Sequence, residues 1–122
     1  MDRRPAVERR GEPRIAAQLP LHFTFAGKTV ETRIVDLSSS GIRFHAPEAL
    51  PVMSRMQLSL ELPAGTAAAG ARAISIIGVV VRCAEVRGRA GFPFEAAIFF
   101  EDVSPASAAR LKRFISEHSA PA

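Results

Sequence analysis

Alternation of apolar and polar residues is the feature that most restricts the fold of this chain. Between Met56 and Leu62 every second residue is apolar, and the intervening residues are glutamine, serine and glutamate. Successive side chains of an extended strand point to opposite faces, so this period of two predicts a strand with one buried face. A similar alternation runs from Phe92 to Phe100. The chain is therefore predicted to consist mainly of β-strands.

Turn signals divide the chain into six predicted strands. Clusters of glycine, proline and serine separate segments that are alternating or rich in β-branched residues. The predicted strands cover residues 19–25, 30–37, 42–46, 56–62, 73–85 and 92–100. Short strands separated by turns are typical of a small antiparallel barrel or sandwich. The segment from Pro63 to Ala71 is rich in small residues and predicts a flexible connection, or one short helical turn.

The C-terminal segment changes to a helical period. Ser104 is a suitable N-cap, and Pro105 suits the first helical position, where a missing N–H is not needed. Residues of one helical face then recur at spacings of three and four, namely Leu111, Phe114, Ile115 and His118. We predict one amphipathic helix over about 105–118 that closes the barrel. We expect Phe99 to pack beneath it, and an exposed partner-binding position is the alternative.

Composition limits the classes of function that remain open. At 122 residues, of which 48% are hydrophobic, the chain suits one domain, and its formal charge of +4 favours anionic partners. Its single cysteine, Cys83, excludes an internal disulfide, and three scattered histidines provide no metal-ligand spacing. No nucleophile elbow surrounds the serines, and no apolar stretch suits a membrane span. We therefore expect a cytoplasmic protein with no membrane-spanning segment, no metal site and no catalytic site.

The first eighteen residues are charged and interrupted by prolines, and they show neither period. They predict an extended arm that contains the sequence RRGEPR at positions 9–14. A guanidinium can present two parallel donors to guanine, fork onto a phosphate or stack on a purine, and lysine does none of these as well. The arm is thus a candidate nucleotide-binding segment, and a solvated basic tail is the alternative interpretation.

A second motif, DLSSSG at positions 36–41, separates the second and third predicted strands. It predicts a turn in which Asp36 accepts backbone N–H bonds. The Asp36 carboxylate can also accept from the N1 and N2 donors of guanine, which adenine lacks. Ser38 offers a hydroxyl to a base or phosphate, and Gly41 permits a positive φ and a close approach of ligand to the backbone. The same segment can therefore be both a turn and part of a ligand site.

Together the two motifs resemble the signatures of PilZ domains, RxxxR at Arg10 to Arg14 and [D/N]xSxxG at Asp36 to Gly41. The order of the motifs, the six strands and the closing helix agree with this resemblance over nearly the whole chain. The resemblance implies an all-β fold with a C-terminal helix, a six-stranded antiparallel split barrel. Residues 1–18 would be an arm carrying RxxxR, and residues 19–118 the barrel with its helix.

PilZ domains are receptors for cyclic di-GMP, which contains two guanines and two phosphates in a ring. The resemblance implies a receptor without enzymatic activity or cofactor. Arg10 and Arg14 would bind guanine faces and phosphates, and Asp36, Ser38 and Gly41 would form the turn over a guanine. The resemblance also implies that the residue before RxxxR, here Arg9, influences ligand stoichiometry, and we expect it to favour a stacked pair. The arm would fold across the barrel with ligand and present a new surface to a protein effector.

Two other classes of function stay open. A PilZ-like domain that has lost nucleotide binding would act only as a protein-interaction adaptor, although such members usually lack the motif residues that this chain retains. A small nucleic-acid-binding barrel would agree with the basic charge, but it would require exposed aromatic residues for stacking. The chain has no Trp or Tyr, and its phenylalanines mostly follow buried alternations, which disfavours nucleic acid.

Overall fold

The computed structural model describes residues 14–62, 73–87 and 91–118. Within these ranges the chain forms seven strands and one helix. They are β1 (Ile15–Ala16), β2 (Pro20–Phe25), β3 (Lys28–Leu37), β4 (Gly41–Ala46), β5 (Arg55–Glu61), β6 (Ala73–Glu85), β7 (Phe94–Val103) and α1 (Pro105–His118). Arg9, Arg10 and the predicted connection from Pro63 to Ala71 lie outside the described residues.

Six of the strands close into a barrel. The sheet has the order β1-β3-β2-β5-β6-β7-β4, and an additional pairing between β3 and β4 closes the ring from β2 to β7. Every described pair is antiparallel. Closure pairs the outermost strands with each other, which removes the open edges that a flat sheet would expose. The predicted six-stranded antiparallel barrel with a C-terminal helix is confirmed.

Apolar side chains fill the barrel according to the alternation in the sequence. The rings of Phe23 and Phe44 lie 5.1 Å apart between centroids in the interior. Gly78 of β6 also faces inward, and a Cβ there would overlap the Cγ2 methyl of Ile98. Because interiors are close-packed, only glycine fits at this position without a shift of its neighbours.

The helix begins as the sequence predicts. Ser104 is its N-cap, since its Oγ accepts a hydrogen bond from the Ser107 N–H at 3.1 Å. The side chains of Leu111, Phe114 and Ile115 join the barrel core. His118 is exposed but its ring lies 4.1 Å from that of Phe114 between centroids. Among the described residues, no helix is both long and apolar enough to span a bilayer.

Phe99 does not pack beneath this helix. The strand alternation that buries Ile98 and Phe100 places Phe99 on the outside of β7, where it is 51% exposed. The apolar stripe of α1 is occupied by contacts with the core cluster. The expectation that α1 covers Phe99 is therefore wrong.

The short strand β1 fastens the end of the predicted arm to the barrel. Strand β3 pairs with β2 along most of one edge. Strand β1 pairs with the last two residues of β3 along the same edge. Ile15 lies opposite Leu37 and is buried in the core, while Ala16 lies opposite Asp36. The pairing brings Arg14 to the end of β3, where the second motif begins.

Candidate functional site

The DLSSSG segment is a tight turn between β3 and β4 that depends on Ser38. The Ser38 N–H donates to the Gly41 carbonyl at 2.9 Å. Its hydroxyl oxygen accepts from the N–H groups of Ser40 at 3.3 Å and Gly41 at 3.2 Å. The side chain of Ser38 is fully buried. The Ser38 hydroxyl thus accepts hydrogen bonds within the turn and does not point to solvent.

Gly41 is required at its position by close packing. It begins β4 opposite Phe99, and a Cβ on Gly41 would lie 2.7 Å from the backbone oxygen of Ile98. The Phe100 N–H donates to the Ser40 carbonyl at 2.8 Å, which holds the turn against β7. Gly41 does not use the positive φ that glycine permits, since the described glycines with positive φ are Gly27 and Gly91.

Asp36 lies at the centre of the site between two arginines. The residue is only 8% exposed. Its Oδ1 accepts from Nε of Arg14 at 3.0 Å. Its Oδ2 accepts from Nε of Arg43 at 2.9 Å and also from Nη2 of Arg43. Burying a carboxylate is costly unless it is paired and hydrogen-bonded, and here both oxygens are satisfied by guanidiniums.

The structure brings Arg14 and Asp36 together although they belong to different motifs. They are 22 positions apart in the chain, and the pairing of β1 with β3 joins them. Ser38 and Gly41 form the adjoining turn, as described above. Arg9 and Arg10 lie outside the described residues, so their predicted contribution stays a prediction.

Arg43 is a residue of the site that the sequence analysis missed. It lies directly opposite Asp36 across the hairpin, and its Nη1 is 3.5 Å from Oε1 of Glu95. The hydrogen bonds that Arg43 donates to Asp36 raise the pKa of its guanidinium; burial lowers this pKa, and the charges of Asp36 and Glu95 raise it further. Arg43 therefore stays a cation. The sequence signal for Arg43 is its outward position on β4, two residues after Gly41. A hairpin register drawn through the turn would have placed Arg43 opposite Asp36.

We name the Arg14, Asp36 and Arg43 side chains the clamp. The side chain of Arg14 is 33% exposed and that of Arg43 is 41% exposed, whereas the carboxylate between them is largely covered. Because Arg14 uses Nε toward Asp36, its two Nη groups can donate to a ligand. The clamp can thus bind phosphate through its guanidiniums, and its carboxylate can accept donors from a base wherever they replace the bond from an arginine.

A cleft of ≈ 460 Å³ is separate from the clamp. It is lined by Pro20, Glu31, Thr32, Arg33, His45, Glu61 and Phe92. Two carboxylates among these residues make it less suitable for an anion than the clamp. Within the described part of the chain, no cluster of three or more histidine, cysteine or acidic residues could hold a metal ion.

Comparison with models of protein families shows to which family the chain belongs. A family model described as the PilZ domain matches residues 8–117. The chain belongs to the PilZ family. The resemblance drawn from the two motifs is therefore confirmed. A search of the curated proteins finds no match.

Several solved structures share the fold of this chain. The inhibitor of motility MotI/DgrA of Bacillus subtilis superposes with a TM-score of 0.74 at 15% identity, over 88% of this chain and 49% of its own. The PilZ domain of Escherichia coli YcgR, solved with c-di-GMP, gives 0.67 at 20% identity over 89% and 90% of the two chains. The MrkH–c-di-GMP complex of K. pneumonia gives 0.65 at 14% identity over 88% and 51%. This PilZ domain thus spans about half the length of the MotI/DgrA and MrkH chains.

We predict that Ser38→Ala lowers the free energy of unfolding by about 1–3 kcal/mol, because it leaves the N–H groups of Ser40 and Gly41 without their acceptor in a buried turn. Ser39→Ala in the same turn is the matched control, since Ser39 is only half-buried, and we expect a change within about 0.5 kcal/mol. Urea denaturation of both variants measures the difference. Equal stability of the two variants would contradict the role given to Ser38.

Proposed function

We propose that this PilZ domain is a receptor for cyclic di-GMP, with no enzymatic activity and no cofactor. The observation that carries the proposal is the clamp, in which the nearly buried Asp36 lies between two partly exposed guanidiniums beside the DLSSSG turn. A ligand with two phosphates and two guanines needs both chemistries. Guanidiniums bind phosphate oxygens or the O6 and N7 edge of guanine, and a carboxylate accepts from guanine N1 and N2.

The relatives support this choice of ligand. The PilZ domain of YcgR and the MrkH protein were both solved with c-di-GMP. The shared family and the presence of Arg10, Arg14, Asp36, Ser38 and Gly41 at the two motifs extend the same ligand to this chain. The alternative of an adaptor without nucleotide binding has no comparable support, because adaptors of the family usually lack these residues.

Exchange of partners at Asp36 is the mechanism that we assign to binding. Without ligand, Arg14 and Arg43 neutralise the carboxylate. A ligand phosphate attracts Arg14, and Oδ1 of Asp36 becomes available to the N1 and N2 donors of a guanine. Arg43 keeps its bonds to Oδ2 and holds the carboxylate in place. The buried charge then stays paired throughout, so the exchange avoids the penalty of an unpaired carboxylate.

The arm completes the proposed site. Arg9 and Arg10 would supply further guanidiniums to phosphates and guanine faces, and Arg9 would favour a stacked pair of ligands. Because β1 attaches the end of the arm to β3, ligand binding would fix the preceding residues across the same face of the barrel. The resulting surface would be read by a protein effector.

Isothermal titration tests the ligand. We predict saturable binding of cyclic di-GMP and none of GTP or cyclic di-AMP at the same concentrations. Arg14→Ala should weaken binding by about 10-fold or more, because hydrogen bonds to charged groups contribute about 1.5–3 kcal/mol. Arg113→Ala is the matched control, since Arg113 is an exposed arginine of α1 and lies outside the sheet. Its affinity should equal that of the unaltered chain.

Absence of binding in the unaltered chain would contradict the receptor and favour the adaptor. Binding of any polyanion with a steep decrease in added salt would instead favour the nucleic-acid-binding barrel.

Hydrogen exchange tests the role of the arm. We predict that saturating cyclic di-GMP slows amide exchange in residues 5–18, because the ligand would hold the arginines of the arm against the barrel. The exposed α1 residues 116–118 serve as an internal control and should exchange equally with and without ligand. Equal exchange of residues 5–18 in both states would contradict an ordering of the arm.

A further inference from the structure

The outer face that carries the clamp continues across β7 onto β6. Arg43 of β4 lies opposite Ala97 of β7, which in turn lies opposite Arg82 of β6. In the next row, Gly41 lies opposite Phe99, which lies opposite Val79. The small side chain of Ala97 thus separates two arginines, and Phe99 lies beside both the DLSSSG turn and this row.

Phe99 is distinct among the phenylalanines. All eight lie in the described residues, and Phe99 is the only one of them that is exposed. Exposed apolar residues need no explanation by themselves, and Val52, Met53, Ile77 and Val81 are also exposed. The position of Phe99 is what calls for an explanation. Gly41 of the DLSSSG motif is its direct neighbour on β4, and the N–H of the following residue, Phe100, donates to the Ser40 carbonyl.

The spacing agrees with a ligand that has a second base. Asp36 and Phe99 are two strands apart, which is roughly 10 Å, and they are offset by two residues along β7, which is about 7 Å. A base paired to Asp36 therefore cannot itself cover Phe99. In a cyclic dinucleotide the second base is joined to the first through a ribose and phosphate ring, and it can reach that far across the face.

We propose that Phe99 is a stacking platform for a purine of the bound ligand, with the phosphate that Arg14 does not bind held between Arg43 and Arg82. This inference rests on the proposed receptor function and adds to it a residue outside both motifs. Every base has a π-face, so an aromatic side chain next to cationic groups is the combination that binds nucleotides by stacking and charge. A protein partner that docked on an apolar patch would not require two guanidiniums in the adjoining row.

The sequence offers a direct probe of stacking. The chain contains no Trp and no Tyr, so Phe99→Trp introduces a single tryptophan. We predict that cyclic di-GMP quenches the fluorescence of this variant in a saturable manner and binds it as tightly as the unaltered chain. The matched control is Ser116→Trp, because Ser116 is exposed on α1, outside the sheet. Its fluorescence should not change.

Alanine substitution measures the contribution to affinity. Phe99→Ala should weaken cyclic di-GMP binding by about 5- to 150-fold, the range found when a stacking aromatic is removed. Val81→Ala is the control for apolar contact alone, since Val81 is 51% exposed on β6 but has no ring. Its affinity should change less than about 2-fold. Both side chains are outside the core, so thermal unfolding should be unaltered.

The outcomes separate this inference from the receptor function. Tight binding by the unaltered chain, together with an unchanged affinity of Phe99→Ala and no quenching of Phe99→Trp, would overturn the stacking platform and leave the receptor standing. Equal weakening in Phe99→Ala and Val81→Ala would also overturn it, in favour of general apolar contact. Failure of the unaltered chain to bind would overturn both proposals.

Discussion

A nearly buried carboxylate held by two arginines is the interaction on which the organisation of the site depends. Asp36 cannot be buried as an anion without compensation, and it draws one cation from each side of β3. Arg14 comes from the segment before β1, and Arg43 comes from β4 across the hairpin. The set of charged contacts continues beyond these three side chains, because Arg43 lies near Glu95 and Glu95 lies near His45. The Asp36 carboxylate thus connects the end of the arm through Arg14, and it connects β7 through Arg43 and Glu95, beside the DLSSSG turn.

The closed barrel gives this charge a fixed setting. Dense packing around Gly78 and the paired rings of Phe23 and Phe44 leave little freedom in the strands that carry the clamp. The turn is similarly constrained, since Ser38 satisfies its own backbone and Gly41 allows β4 to approach β7. Groups held in this way need little reorganisation to bind a ligand, which preserves affinity. The proposed change on binding is therefore confined to the arginines and to the arm.

Sequence patterns were sufficient for the secondary structure, and the resemblance to PilZ domains favoured a barrel over a sandwich. Alternation or β-branched residues between turn signals identified the six barrel strands, and the change of period together with Ser104 and Pro105 identified α1. These features are local, so they can be read from neighbouring residues. The two-residue strand β1 is too short to have a period, and its pairing with β3 depends on a distant segment. It could not be predicted in the same way.

The site was predicted less completely for related reasons. The motifs pointed to Arg14 and Asp36, but the motif itself does not say that Arg43 opposes Asp36, which follows only from the hairpin register. The direction of the Ser38 hydroxyl and the φ of Gly41 depend on how tightly the turn packs against β7. Phe99 was assigned to the wrong environment because alternation tells which side of a strand a residue is on, and not what covers that side.

Amide chemical-shift mapping tests the central claim most directly, namely that cyclic di-GMP binds on the outer face around Asp36. Titration of the ¹⁵N-labelled chain should produce its largest shifts in the segment from Asp36 to Arg43 and in the neighbouring part of β7 from Ala97 to Phe99. The residues that line the cleft, such as Glu31 and Glu61, should change little. Largest shifts at the cleft, with an unchanged turn, would contradict the account.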